Sequence, residues 1–207
     1  RFLHEAPAYG RLLESLAPQF SNRADRRLGI APHSLRAVSP ELLRAALTLI
    51  DGIDGTAPIH IHIAEQVAEV EDCLSWAGKR PVQWLLDEQD IGARWCLVHA
   101  THMTPEETAR LAASGAVAGL CPMTEANLGD GLFPTVAYLD AGGRIGIGSD
   151  SHISVHAAEE LRLLEYGQRL AHRGRNLLAG GAQQSTGRRL VDAARRGGAQ
   201  ALGLGGV

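Results

Sequence analysis

Four polar residues stand at the ends of short apolar runs: His33 closes Leu28 to His33, His62 lies near the end of Pro58 to Ile63, His99 closes Trp95 to His99, and Asp150 follows Arg144 to Ser149. Imidazole nitrogen and carboxylate oxygen are zinc ligands, so this set suits a metal-assisted hydrolysis. In His60-Ile61-His62-Ile63-Ala64-Glu65 the period of two in a strand points both histidines to one face, and Glu65 falls just past the strand end. A carboxyl group there can carry a proton from an activated water to a leaving nitrogen. Any one of these residues alone would be read as a hydrogen-bonded structural group. Their recurrence at successive strand ends predicts a shared site.

The neighbouring polar residues are less determined. His60 is read either as a ligand or as an inward side chain filling a layer of the core, and Glu65 could instead open the next helix, where a carboxylate favours the dipole. His99 could accept a hydrogen bond from water or steady an oxyanion, whereas His102, in the turn that follows, reads as a surface residue. Gly146, Gly148 and Ser149 permit close backbone approach before Asp150, whose other reading is a cap on the next turn. His152 and His156 fit either a place behind the site or the loop itself.

The elements that must position these groups alternate between apolar runs and longer helical patterns. Five strand candidates emerge: Leu28 to His33, Pro58 to Ile63, Trp95 to His99, Val117 to Cys121 and Arg144 to Ser149. Ser39-Pro40 and the capping box Thr104-Pro105-Glu106-Glu107 mark helix starts. Amphipathic helices are predicted from His156 to His172 and near Thr186 to Arg196, with a loop over Gly174 to Gly187 between them. Glycines after Gly197 suggest that the chain leaves its domain there. The fold class is α/β with parallel strands. A complete eight-stranded barrel takes about 250 residues, so five units in 207 residues predict an incomplete (β/α)8 barrel, with an open doubly wound sheet as the alternative.

Composition narrows the function. With 45% hydrophobic and 21% charged residues the chain can bury a core, and a net charge of -3 offers no basic patch for nucleic acid or an anionic membrane. No apolar run reaches the roughly 20 residues of a membrane span. Cys73, Cys96 and Cys121 lack metal-binding or disulfide spacing and read as reduced core residues. A cytoplasmic location is the expectation, although the first residue is Arg1 and an upstream targeting signal stays open.

Three stretches carry a more specific signal: Gly29-Ile30-Ala31-Pro32-His33-Ser34-Leu35-Arg36, His60 to Gln66, and Cys121-Pro122-Met123-Thr124-Glu125-Ala126-Asn127-Leu128-Gly129-Asp130-Gly131. With the strand-end order His62, His99, Asp150, they resemble the deaminase branch of the amidohydrolase superfamily, over essentially the whole chain. Within that branch Thr124-Glu125 is similar to the members that act on N-formimino-L-glutamate, whereas guanine and cyclic-amidine deaminases usually differ after the Cys-Pro pair. The resemblance implies strands four to eight of a TIM-like barrel as a single domain over residues 1–207, lacking the N-terminal strands and the small β-sandwich. It implies one zinc ion, or a similar divalent metal, held by His62 and Asp150, with two further ligands in an upstream His-x-His pair.

Carried over by the same resemblance, Glu65 becomes the proton shuttle, and His99 and Asp150 act on the water. The implied reaction is hydrolysis of N-formimino-L-glutamate to N-formyl-L-glutamate and ammonia in histidine degradation. Its two carboxylates call for cationic partners, and Arg36 beside His33 offers a bidentate fork, the other reading being a surface arginine beside a loop histidine. A homodimer is left open. So are a guanine or cyclic-amidine deaminase and a non-catalytic ligand-binding fragment.

Overall fold

The computed structural model describes residues 5–21, 23–151, 154–181 and 184–205. Two helices come first, α1 (Ala6–Phe20) and α2 (Pro40–Ile53), followed by strand β1 (Ile59–Ile63). Helices α3 (Val67–Ala77) and α4 (Pro81–Glu88) lead to β2 (Trp95–His99), and α5 (Pro105–Ser114) leads to β3 (Val117–Leu120). Then come α6 (Pro122–Leu128), α7 (Thr135–Asp140), β4 (Arg144–Ile147), α8 (Ala157–His172) and α9 (Thr186–Ala201). The two helix starts legible in sequence form as expected. Ser39 Oγ accepts from the Leu42 amide at 3.3 Å, and Thr104 and Glu107 close a reciprocal capping box.

The strands pair in the order β1-β2-β3-β4, and every pair is parallel. Each strand therefore adds beside its predecessor, as in a barrel wall. A doubly wound sheet would reverse direction partway, so that alternative is set aside. The registers bring Ile61, Leu97, Ala118 and Ile145 side by side, and these residues belong to the main core beneath the helices. The opposite face carries His60, Cys96 and Val117 in one row and His62, Val98 and Gly119 in the next.

The first expected strand needs correction. Residues 28–34 run along β1 but make only two isolated parallel bridges, Ile30 to Ile59 and Ser34 to His62. Pro32 lies between the bridges and has no N–H to donate, so a continuous ladder cannot form. Of the glycines after Gly197, Gly198 lies inside α9 and the Gly203 carbonyl accepts from Arg27, so these two belong to the fold, and Gly206 lies outside the described residues. Helix α9 continues to Ala201, and Gly197 lets its backbone lie directly on β4. A Cβ on Gly197 would stand 2.0 Å from the Ile145 carbonyl oxygen.

Candidate functional site

The loops at the carboxyl ends of the strands bring the six residues singled out in sequence into one chain of neighbours. The rings of His33 and His62 stack at 4.9 Å, and those of His62 and His99 lie 5.6 Å apart. His99 Nε2 faces Glu65 Oε1 at 3.7 Å and Asp150 Oδ2 at 4.0 Å. Arg36 donates from Nη2 to Glu65 Oε2 at 3.0 Å.

Backbone geometry explains how a strand-end residue reaches this place. By the pleat alone His99 would share the helix-covered face of Trp95 and Leu97. Its φ of 68° lies in the left-handed region, and the ring turns instead toward His62 and the mouth. Ala64 (φ 48°), Ala100 (φ 47°) and Asp150 (φ 41°) are turned in the same way. Left-handed φ costs a residue with a Cβ about 1 kcal/mol or more, so neighbouring bonds must hold it. Glu69, in the first turn of α3, does so for one turn, accepting from the Ala64 and Glu65 amides at 3.0 and 2.9 Å.

Hydrogen bonds also set which ring nitrogens are available. His62 Nδ1 lies 2.9 Å from the His33 carbonyl oxygen; a carbonyl only accepts, so Nδ1 carries the hydrogen and Nε2 keeps its lone pair. His99 Nδ1 faces the buried Glu125 carboxylate at 3.2 Å, which leaves Nε2 toward Glu65 and Asp150. Burial alone would pull the His99 pKa down, but the hydrogen bond to Glu125 and the charges of Glu125, Glu65 and Asp150 together hold it above the ordinary value. The His33 pKa is lowered by burial and by the nearby His62 and Arg36.

A nitrogen and oxygen donor set of this kind fits zinc. His99, Cys121 and Asp150 each offer a ligand atom, all within 4.8 Å of one another. Burial, then Glu125 and Asp150, push the Cys121 thiol well above the usual range. His62 stands one ring further along, with its free nitrogen set by the His33 carbonyl.

The other polar residues near the mouth fall out differently from one another. His60 sits one layer below the mouth, with Nε2 2.7 Å from the Ala201 carbonyl oxygen, so the core-filling reading holds for it. The Nε2 of His102 is buried, not on the surface, and its backbone joins Ala64 and Arg80. His156 serves as the N-cap residue of α8, and His152 lies outside the described residues. Glu69 and Glu125 were not given roles by sequence. A signal existed, since each stands four residues after a strand-end residue, Glu65 or Cys121, in the first turn of a helix.

Comparison with known proteins agrees with this arrangement. The family model described as the Amidohydrolase family matches residues 10–207. A formimidoylglutamate deiminase of Pseudomonas aeruginosa is 55% identical over 98% of this chain and 44% of its own length. A solved amidohydrolase from Brucella melitensis is 54% identical, with a TM-score of 0.92 over 98% of this chain and 44% of that one. An adenosine deaminase from Xanthomonas campestris, solved with bound zinc, is 25% identical, with a TM-score of 0.85 over 96% of this chain and 44% of that one. The chain thus spans less than half the length of these relatives.

Proposed function

This chain belongs to the amidohydrolase family, and from that membership we propose that the full-length protein hydrolyses N-formimino-L-glutamate to N-formyl-L-glutamate and ammonia. The observation that carries the proposal is the contact chain Arg36–Glu65–His99–Asp150 at one mouth, with successive separations of 3.0, 3.7 and 4.0 Å. This chain of a guanidinium, a carboxylate, an imidazole and a second carboxylate supports the reading, because an amidine that also carries carboxylates needs acid–base groups and a cation side by side. The 55% identity to a relative named formimidoylglutamate deiminase supports the choice of substrate.

His62 and Asp150 would hold zinc in this reading, and the remaining ligands would come from parts of the full-length protein beyond this chain. Zinc, when bound, supplies Lewis-acid activation of water at neutral pH. Asp150 and His99 Nε2 orient the attacking oxygen and accept its hydrogen bonds as it adds to the formimino carbon. Glu65 takes a proton from the water and delivers it to the terminal nitrogen. Asp150 takes the second proton, from the hydroxyl of the tetrahedral adduct, and that proton also reaches the terminal nitrogen as its bond to carbon breaks; the electron pair leaves with ammonia, and the carbonyl of the formyl group remains.

Arg36 would meet a glutamate carboxylate with its planar fork, and His33 would line the same side. In the structure its Nη2 is engaged by Glu65 and lies 3.9 Å from Glu69. These acidic neighbours hold the guanidinium at the mouth.

Ammonia release by the zinc-loaded full-length protein tests the proposal. N-Formimino-L-glutamate should be turned over with a specificity constant at least about a hundredfold above guanine or a cyclic amidine, because a site built to pair carboxylates rejects ligands that lack them. Equal use of either ring substrate would overturn the assignment. Among the described residues no helix is long and apolar enough to cross a membrane; a cytoplasmic location, and assembly as a homodimer, belong to the proposal.

A further inference from the structure

Thr124 and Glu125 follow Cys121-Pro122 at the start of α6, and both side chains are buried, at 1% and 3% exposure. They point to different partners. Glu125 Oε1 accepts from His99 Nδ1 at 3.2 Å and from the Cys121 amide at 2.9 Å, so one oxygen ties the end of β3 to the imidazole at the end of β2. Thr124 Oγ1 accepts from the Ser151 amide at 3.2 Å, pairs with the Ser151 hydroxyl at 2.9 Å and reaches the Ser149 carbonyl oxygen at 3.4 Å. Its three contacts flank Asp150 on both sides along the chain.

We propose that Thr124 and Glu125 are positioning residues that set the two groups at the mouth together: Glu125 fixes the His99 ring with Nε2 toward Glu65 and Asp150, and Thr124 fixes the loop that carries Asp150. Neither touches the reacting atoms in this assignment. Both His99 and Asp150 hold left-handed φ, at 68° and 41°, and a backbone in that region keeps its place only where surrounding bonds over-determine it. Adjacent residues on one short helix give both restraints a common origin. A displacement of α6 would move the imidazole and the carboxylate as a unit.

The inference rests on the deiminase reading only for its kinetic part. The position of the His99 proton and the affinity for zinc report on it whatever the substrate is. The test uses the full-length protein with ¹⁵N-labelled histidine, in which the ring nitrogens distinguish an Nδ1–H from an Nε2–H tautomer, together with zinc affinity by chelator competition. Wild-type apo protein, at a pH where the His99 ring is neutral, should show it as the Nδ1–H form. Glu125→Gln keeps the accepting oxygen, so the tautomer should persist and kcat should stay within about tenfold of wild type. Glu125→Ala should give a mixed tautomer and a kcat at least about tenfold lower, with KM nearly unchanged.

Thr124→Val should weaken zinc affinity by about 10- to 100-fold, and Thr124→Ser, which restores the hydroxyl, should recover it. An unchanged His99 tautomer in Glu125→Ala would overturn the role of Glu125. Loss of the tautomer in Glu125→Gln would overturn it too, and that variant decides the matter should the alanine protein fail to fold. Wild-type zinc affinity in Thr124→Val, or no recovery in Thr124→Ser, would overturn the role of Thr124. If the signatures change as stated while N-formimino-L-glutamate is not a substrate, the positioning roles stand and the deiminase reading falls.

Discussion

At the carboxyl ends of the strands, Ala64, His99, Ala100 and Asp150 hold left-handed φ, and carboxylates crowd a buried imidazole. The amino ends are built differently. There the last turn of α9 closes the sheet with bonds to backbone groups: Gln200 Nε2 donates to the Ala93 and Gly115 carbonyl oxygens, each at 2.8 Å, and Arg144 pairs with Gln200 Oε1. His60 donates to the Ala201 carbonyl oxygen, and Arg27 joins Asp54, Thr56 and the Gly203 carbonyl. Among the described residues, the other non-glycine positive φ values are at Arg173 and Asn176, beyond α8, and none is at this end. Strain and desolvated charge gather where chemistry is proposed, and satisfied backbone gathers where the sheet is sealed.

The comparison breaks most readily at Glu65. In the full-length protein Glu65→Gln keeps the volume but loses the proton carrier, so kcat should fall by about 10²- to 10⁴-fold at matched zinc content. Near-normal turnover at full zinc loading would assign proton transfer elsewhere and leave the strained mouth without its proposed purpose. Arg36 should matter next. Arg36→Ala should lower kcat/KM for N-formimino-L-glutamate by about tenfold to a hundredfold, and Arg36→Lys by less, since a hydrogen bond to a charged group contributes about 1.5 to 3 kcal/mol. Unaltered kinetics in both variants would remove Arg36 from substrate binding.

The amino end should respond in stability and not in catalysis. Gly197→Ala places a Cβ against the Ile145 carbonyl oxygen and must push α9 off β4, at a cost of about 1 to 3 kcal/mol in unfolding free energy. The folded fraction should keep its zinc content and kcat/KM. A catalytic defect larger than the loss of folded protein would mean that the two ends are coupled.

Sequence made the mouth legible because strands have a period of two and end at defined places. That pattern picked out His62, His99 and Asp150, whose side chains the structure brings close together. It could not show that His99 needs a left-handed φ to turn out of the helix-covered face, because periodicity alone predicts the wrong side. The first strand was over-read, since apolar content over 28–33 does not register the missing donor of Pro32. The close packing of α9 was not legible for a related reason: a glycine signals both an exit and a close approach, and only the distance from Gly197 to Ile145 distinguishes them. Glu69, Thr124 and Glu125 were quoted or passed over without roles, because a buried cap and a solvated one have the same letters.

The two histidines of β1 offer the most direct test, because they share one face of one strand and differ only in layer. His60 donates from Nε2 to a carbonyl at the sealed end, whereas His62 donates from Nδ1 and keeps Nε2 for the mouth. Zinc affinity should be measured in the full-length protein for His60→Ala and His62→Ala beside the wild type. The account predicts at least about a tenfold loss for His62→Ala and wild-type affinity for His60→Ala, with the latter losing about 1 kcal/mol of stability. Full zinc affinity in His62→Ala, or an equal loss in both variants, would contradict the division between a chemical and a structural end.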